Sequence, residues 1–269
     1  MSRAKLSGRK EISAAEARDH WEANADLWSA EVRAGHDLYR EKFNNPSFLR
    51  FVGDLSARRV LDVGCGEGRN TRIFAQAGAR MTGIDIAPRM IELAREAEAH
   101  EALGIRYEVA SFLDLGLFGE SSFDAAISTM ALMDGPEFPR AMSEIRRVLR
   151  KGGELSFSIL HPCFMTKGFQ WLHDAEQREN GLRVADYFFK ESWIDRWMFS
   201  AAARESESFA IPRYGRTLSY YLNAVIRAGM AIDAVDEPRP SAEAVSEYPF
   251  LGKWREHAAL VLYLKAHRV

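Results

Sequence analysis

One short stretch of the chain decides its fold: Val60-Leu61-Asp62-Val63-Gly64-Cys65-Gly66-Glu67-Gly68. An apolar strand pattern over 59–63 ends at a cluster of three glycines, and a helix pattern follows over 69–77. Glycines at such a junction let the backbone turn sharply and let a ligand approach the main chain closely. The first turn of the following helix offers free amide groups to a polar or anionic group. The stretch therefore predicts a ligand site between a strand and a helix.

Strand and helix patterns alternate around this loop. Further strands are predicted at 80–85, 105–109, 123–128 and 154–160, with helices at 88–103 and 137–149 between them. A helix at 217–228 and two last strands, at 230–235 and 259–265, follow near the end of the chain. Such alternation is typical of a parallel sheet covered by helices on both faces. We therefore predict an α/β fold with a Rossmann-like, seven-stranded sheet and an aromatic-rich cap insertion.

The pattern divides the chain into five segments. Thirteen of the 30 aromatic residues lie between Phe164 and Tyr221, where the alternation is interrupted. Ser13 and Glu16 have the spacing of a capping box, which predicts the start of a helix there. The predicted segments are a flexible tail at 1–12, N-terminal cap helices at 13–57, a ligand-binding core at 58–160, a substrate cap insertion at 161–216, and a C-terminal helix with two strands at 217–269.

The composition is that of a globular protein with 269 residues, of which 47% are hydrophobic and 28% charged. Lys and Arg number 36 against 38 Asp and Glu, a net charge of −2 that excludes a general binder of polyanions. No apolar run approaches the roughly 20 residues that span a bilayer. Two cysteines provide neither a disulfide framework nor a four-cysteine zinc site. We expect a cytoplasmic protein with no membrane partner and no metal site.

An acidic residue ends the second predicted strand. Asp85 lies 21 residues after Gly64, where a carboxylate can accept two hydrogen bonds from a ribose diol. A dinucleotide fingerprint would place a third glycine at position 69, where this chain has Arg69. The glycine loop and the acid therefore indicate an adenosine-type cofactor, and Arg69 argues against NAD.

The region 59–160 resembles the class I methyltransferases that use S-adenosylmethionine. The likeness is carried by the glycine loop 60–68 together with Gly83-Ile84-Asp85, Met90 and Phe123-Asp124. It implies that the loop contacts the methionine part of S-adenosylmethionine, that Asp85 binds the ribose and that Ile86 packs on the adenine. The family usually has an Asp after the third strand; here Ser111 and the backbone of Phe112 would replace it, with Asp114 as the alternative. The cofactor residues predicted in this way are Tyr39, Asp62, Gly64, Cys65, Gly66, Gly68, Asp85, Ile86, Met90, Ser111, Phe112, Ser128 and Thr129.

The acceptor of the methyl group is predicted to be a small molecule. Enzymes of the family that methylate planar amino groups carry an Asn/Asp-Pro-Pro-Tyr motif after the fourth strand, whereas this chain has Ser-Thr-Met-Ala at 128–131. No basic stripe for a nucleic acid is present. His161 follows the fifth strand and is our candidate for a catalytic base or acceptor-orienting group, with a purely structural role as the alternative. Arg213 is assigned to an acceptor carboxylate or phosphate, or else to a structural ion pair. The predicted substrate residues are Met133, His161, Phe164, Tyr187, Arg213 and Tyr214.

These observations favour an S-adenosylmethionine-dependent methyltransferase that acts on an oxygen or nitrogen of a small molecule. A C-methyltransferase of a quinone-type or other small metabolite is the nearest alternative. An RNA methyltransferase, an NAD-dependent oxidoreductase and a non-catalytic binding module are less favoured. The sequence leaves open the acceptor, the atom methylated, the need for a base, and whether the chain forms a homodimer.

Overall fold

The protein is described here by a computed structural model that covers residues 11–199 and 208–269. Residues 1–10 of the predicted tail and residues 200–207 of the predicted cap lie outside the described residues. The strands are β1 (Arg59–Val63), β2 (Arg80–Asp85), β3 (Arg106–Val109), β4 (Phe123–Thr129), β5 (Leu149–Leu160), β6 (Gln170–His173), β7 (Glu179–Arg183), β8 (Ser192–Trp197), β9 (Phe209–Tyr214), β10 (Met230–Asp236) and β11 (Val261–Arg268).

Seven of these strands form one sheet in the order β10-β11-β5-β4-β1-β2-β3. The strands from β5 to β3 run parallel, while β11 is antiparallel to both of its neighbours. The first strand lies between the second and the fourth, so the loop that follows it opens at a point where the order of strands reverses. Ligands of open α/β sheets bind at such a point. The predicted α/β fold with a seven-stranded sheet is confirmed.

Helices cover both faces of the sheet. They are α1 (Ala14–Arg33), α2 (Asn45–Val52), α3 (Arg69–Gln76), α4 (Pro88–His100), α5 (Phe138–Val148), α6 (Leu218–Arg227), α7 (Ala242–Glu247) and α8 (Gly252–Glu256). Alternate residues of a strand point to opposite faces, and Leu61 and Val63 pack with α5 and α6 whereas Val60 packs with α2 and α4. Two apolar cores of this kind hold the carboxyl ends of the strands in place.

The cap insertion contains two β-hairpins that the sequence pattern does not predict. Strands β6 and β7 pair with each other, as do β8 and β9, in two small sheets separate from the central one. Helix α1 packs on the second hairpin: the ring centroid of Trp28 lies 5.1 Å from that of Phe209, and the side-chain amide of Asn24 donates to the carbonyl of Ala210 at 3.0 Å. The predicted capping box at the start of this helix is confirmed, since Ser13 N donates to Glu16 Oε2 at 2.8 Å and Glu16 N to Ser13 Oγ.

Two further elements differ from the prediction. Strand β5 begins at Leu149, five residues before the predicted start, because Leu149 already pairs with Phe123 ahead of the glycines at 152–153. Helices α7 and α8 occupy a segment between two predicted strands for which the pattern predicts no element; they are too short to show a helical period. In the described part of the chain, no helix is both long and apolar enough to cross a bilayer.

Candidate active site

A cavity of about 520 Å³ opens at the carboxyl ends of β1, β2 and β4. Its volume lies within the range of small-molecule sites, roughly 300–1,000 Å³. Ten of the predicted cofactor residues line it: Tyr39, Asp62, Gly64, Cys65, Gly66, Asp85, Ile86, Met90, Phe112 and Thr129. Four of the predicted substrate residues line it as well: Met133, Tyr187, Arg213 and Tyr214. Most residues of both predicted sets therefore share one space.

The glycine loop follows β1 and forms part of the cavity wall. Gly64 has a φ of +75°, and a Cβ there would lie 2.3 Å from the Cβ of Ala131, so only glycine fits. Gly66 has a φ of +56°, yet a Cβ at that position would meet no atom within 4 Å. The loop is closely packed at Gly64 and has free space at Gly66, so a ligand can reach the backbone at Gly66.

The carboxylate of Asp85 is fixed by the loops around it. Its Oδ1 accepts a hydrogen bond from Ala87 N at 3.0 Å, and its Oδ2 accepts one from Gly66 N at 2.9 Å. Burial raises the pKa of this carboxyl, while the two backbone donors act in the opposite direction. Each oxygen has a further lone pair, so this carboxylate can accept two hydrogen bonds from a diol.

A second carboxylate, Asp62, lies at the end of β1 and is almost fully buried. The hydroxyl of Thr71 on α3 donates to its Oδ2 at 2.6 Å. Burial raises the pKa of Asp62 to about 7, although the Thr71 hydrogen bond acts to lower it. A cationic group of a ligand in the cavity would favour the ionised form of this side chain.

Several buried polar groups of the cavity wall have no hydrogen-bond partner in the described parts of the chain. These are Arg40 Nη2, Asn44 Nδ2, Asn70 Oδ1 and Thr129 Oγ1. Unsatisfied buried groups are costly, so their concentration here indicates a polar ligand. The donors and acceptors fit the carboxylate, ammonium and hydroxyl groups of S-adenosylmethionine, and together with Asp62 and Asp85 they would hold it.

The sequence analysis missed Arg40, Asn44 and Asn70. The first two belong to a π-helical turn, Arg40–Asn44, that precedes α2. This turn is tied to the glycine loop because Arg69 Nε and Nη2 donate to the carboxylate of Glu41 at 2.6 and 2.8 Å. Single-turn π-helices often occur at functional sites. Asn70 directly follows Arg69 in α3. This position beside the glycine loop was the one signal in the sequence that could have identified Asn70 as a site residue.

The opposite wall of the cavity comes from the cap and the end of β4. Arg213 Nη1 donates to Asp134 Oδ1 at 2.9 Å, and this pair is 87% or more removed from solvent at both side chains. Burial raises the pKa of Asp134 to about 6, even though Arg213 lowers it. The same cavity is lined by aromatic residues of the cap and of α6, namely Tyr187, Phe189, Trp193, Tyr214 and Tyr221. This wall suits an acceptor with an apolar, flat body.

Comparison with known proteins agrees with this geometry. Residues 61–157 match the family model described as a methyltransferase domain. The structure of an S-adenosylmethionine-dependent methyltransferase from Mesorhizobium loti superposes with a TM-score of 0.68 and 28% identity, covering 83% of this chain and 96% of that one. Residues 61–157 therefore form a methyltransferase domain, and the chain is similar to S-adenosylmethionine-dependent methyltransferases. The predicted family and the predicted cofactor, S-adenosylmethionine, are confirmed.

Two further proteins are similar to this chain, one in structure and one in sequence. A putative S-adenosylmethionine-dependent methyltransferase from Listeria monocytogenes shares the fold, with a TM-score of 0.66 and 23% identity over 88% of this chain and 98% of that one. The ubiquinone biosynthesis O-methyltransferase of Xanthomonas oryzae pv. oryzae (strain PXO99A) is 36% identical over 120 residues, or 44% of this chain. The chain spans about half the length of the curated relatives matched in this way.

Three predicted cofactor residues lie outside the cavity lining. Gly68 packs against Tyr107, whose hydroxyl would lie 2.5 Å from a Cβ at position 68. Ser111 Oγ accepts from Leu113 N at 3.2 Å in the turn after β3, and Ser128 Oγ donates to Val63 O at 2.7 Å between two strands. In the structure, these residues hold the loops that carry the site.

The candidate base His161 is also placed outside the cavity lining. It is 1% exposed; its Nε2 hydrogen-bonds Glu237 Oε1 at 2.6 Å, and its Nδ1 accepts from Cys163 N at 3.2 Å. Its ring packs against Phe164, with centroids 4.6 Å apart, and that residue is likewise outside the lining. Burial lowers the pKa of His161, while Glu237 acts to raise it. Because both ring nitrogens are engaged, this geometry corresponds to the structural alternative for His161.

Proposed function

We propose that this methyltransferase transfers the methyl group of S-adenosylmethionine to an oxygen or nitrogen of a small molecule. One observation carries the proposal: the cofactor loop at 62–66 and the aromatic wall of the cap bound the same cavity. A donor held by Asp85 and an acceptor held against Tyr187 and Tyr214 would therefore meet in one enclosed space. The resemblance to the ubiquinone biosynthesis O-methyltransferase supports an acceptor of small size.

The side chains of the cavity supply binding and orientation. When bound, S-adenosylmethionine supplies a sulfonium methyl group that is already activated for displacement. Asp85 would accept the ribose hydroxyls, Asp62 would face the ammonium group, and Arg40 with Asn44 would donate to the carboxylate. Alignment of two reactants and exclusion of water account for much of the acceleration in such a reaction.

An acceptor hydroxyl or ammonium group must also lose a proton. Among the cavity carboxylates, Asp134 ends a short 3₁₀ turn, Leu132–Asp134, after β4 and lies in the wall that would hold the acceptor. Its pKa of about 6 leaves it ionised at neutral pH and able to accept or orient a proton. We therefore assign this role to Asp134 in place of His161.

We also propose that the protein acts in the cytoplasm on a diffusible small molecule. The two cysteines, Cys65 and Cys163, are free thiols, as is usual in reducing compartments. Tagged protein found with a cytoplasmic marker after cell fractionation would support this location. Recovery with an extracellular or membrane fraction would contradict it.

Calorimetric titration with S-adenosylmethionine, S-adenosylhomocysteine and NAD tests the cofactor part of the proposal. We expect the first two to bind and NAD not to bind. Transfer of a radiolabelled methyl group to a panel of phenols, carboxylic acids and amines then tests the activity. An Asp134→Asn variant is expected to keep the affinity for S-adenosylhomocysteine and to lose most of the transfer rate. Binding of NAD alone, or tight cofactor binding with no transfer to any acceptor class, would contradict the proposal.

A further inference from the structure

Arg216 occupies an unusual place in the wall of the cavity. It lies between β9 and α6, and its guanidinium carbon stands 4.9 Å from the ring centroid of Tyr214, 5.5 Å from Tyr220 and 5.9 Å from Tyr221. The cation is therefore half-buried beside three aromatic rings, where cation–π attraction contributes.

The polar contacts of Arg216 are incomplete. Its Nη2 donates to the backbone carbonyl of Gly135, whereas its Nη1 is buried and has no hydrogen-bond partner within the described residues. No carboxylate of residues 11–199 or 208–269 forms an ion pair with it at 4 Å or less. Arg213, by contrast, pairs with Asp134 at 2.9 Å and with Asp195 at 3.6 Å. Arg216 is half-buried, and a buried donor without a partner is costly to maintain.

The charges of this wall do not balance. Two arginines, Arg213 and Arg216, face the buried carboxylate of Asp134, and both act to lower its pKa. Asp195, the other carboxylate near Arg213, is 45% exposed and so screened by solvent. Two arginines therefore act on the one buried carboxylate of Asp134, and two of their donors, Arg213 Nε and Arg216 Nη1, have no hydrogen-bond partner among the described residues.

We infer that the methyl acceptor carries an anionic oxygen, of a carboxylate or a phosphate, on a flat apolar body, and that Arg216 binds this oxygen. The inference rests on the proposed function, since the acceptor is that of the same site. The anion would balance the second arginine and use its free donor. The rings of Tyr187, Phe189 and Trp193 in the same wall would cover the body of the molecule.

Matched ligands that differ only in charge test the inference. Protein saturated with S-adenosylhomocysteine is titrated with benzoate, phenylacetate and 3-phenylpropionate, each beside its carboxamide, and with phenyl phosphate. A hydrogen bond to a charged group contributes roughly 1.5–3 kcal/mol, so we expect at least one anion to bind about tenfold or more tightly than its amide. Comparing the carboxylates with phenyl phosphate identifies which anion the site prefers.

Variants of the arginine assign the preference to its side chain. Arg216→Gln should abolish the preference for the anion and leave the carboxamide affinity unchanged, which also shows that the cavity is intact. Arg216→Lys keeps the charge but loses the planar group, and it should retain part of the preference. Arg227→Gln, an exposed arginine in the last turn of α6, is the matched control and should bind as the wild type does.

The outcomes separate this inference from the proposed function. If every anion binds no more tightly than its amide, or if Arg216→Gln keeps the preference, the inference is wrong. Wild-type protein that binds no S-adenosylhomocysteine but still prefers the anions would refute the methyltransferase proposal and leave the anion site standing. Binding of S-adenosylhomocysteine without any preference for anions would refute the anion site and leave the methyltransferase proposal standing.

Discussion

The affinity for the cofactor should depend on pH through Asp62. Burial raises the pKa of this carboxyl to about 7 in the protein without ligand, and the ammonium group of the cofactor would pair with its ionised form. Protonation of Asp62 below pH 7 therefore competes with binding. The perturbation is a change of pH from 8 to 5.5, in the wild type and in Asp62→Asn.

The magnitude follows from the fraction of Asp62 that is ionised. With a pKa of about 7, this fraction falls from about 90% at pH 8 to about 3% at pH 5.5. The dissociation constant of S-adenosylhomocysteine should then rise about 30-fold over this range, with most of the change below pH 7. Since the folded protein holds this proton more tightly than an unfolded chain does, the contribution of Asp62 to the free energy of unfolding without ligand should also fall as the pH rises from about 4 to about 7.

Calorimetric titration of S-adenosylhomocysteine at half-unit steps of pH measures this profile. The Asn side chain of Asp62→Asn cannot titrate. The dissociation constant of S-adenosylhomocysteine for this variant should therefore be larger than that of the wild type at pH 8 and nearly constant across the range. Thr71→Val removes the hydrogen bond that lowers the pKa of Asp62, and it should move the midpoint of the profile to higher pH. A wild-type constant that is the same at both ends of the range would refute this reasoning. The reasoning would also be refuted if Asp62→Asn showed the same pH dependence of the dissociation constant as the wild type.

Four other variants test single features of the site. Asp85→Ala should lower the affinity for S-adenosylhomocysteine, measured by calorimetry, at least about tenfold, because a charged hydrogen bond contributes roughly 1.5–3 kcal/mol. An unchanged dissociation constant would contradict the assignment of Asp85 to the ribose. Gly64→Ala should lower the free energy of unfolding in urea by about 2–4 kcal/mol, from strain and from the clash with its neighbour. Gly66→Ala has space for the new methyl group, so it should lower the free energy of unfolding by only about 1 kcal/mol while it lowers the affinity for the cofactor. Equal losses of unfolding free energy in the two glycine variants would contradict the difference in space around these positions. His161→Gln should lower the midpoint of thermal unfolding, because His161 is buried and forms two hydrogen bonds, while turnover at low temperature changes by less than about threefold. A loss of turnover without a loss of stability would indicate that His161 acts as a base.

Much of the fold could be predicted because its signals are local. The predicted bounds of β1 and β2, Arg59–Val63 and Arg80–Asp85, agree with the structure because short apolar runs there end at a glycine cluster and at an acid. The same two junctions indicated the cofactor. The hairpins of the cap gave no such signal, since β6, β7 and β8 have no buried residue and no regular alternation of apolar and polar residues.

The pairings within the acceptor wall could not be predicted because the residues that meet there are distant in sequence. Asp134 and Arg213 are 79 positions apart, and Arg216 contacts the carbonyl of Gly135 from 81 positions away. The pattern around His161 showed a polar residue after a strand but not the burial of its ring or its partner, Glu237. Motifs locate the groups that bind the cofactor, whereas tertiary packing brings together those that would select the acceptor.

The start of the described chain has a practical consequence. Ile12 N donates to Ser192 Oγ at 2.7 Å, and its carbonyl accepts from the hydroxyl of Tyr214 at 3.0 Å, so this residue is bonded to both strands of the second cap hairpin. A purification tag, a fusion partner or a trimmed amino end would therefore act first on the wall that faces the acceptor. Preparations that differ only in this region should be compared for which acceptors they accept, and not just for yield or cofactor affinity.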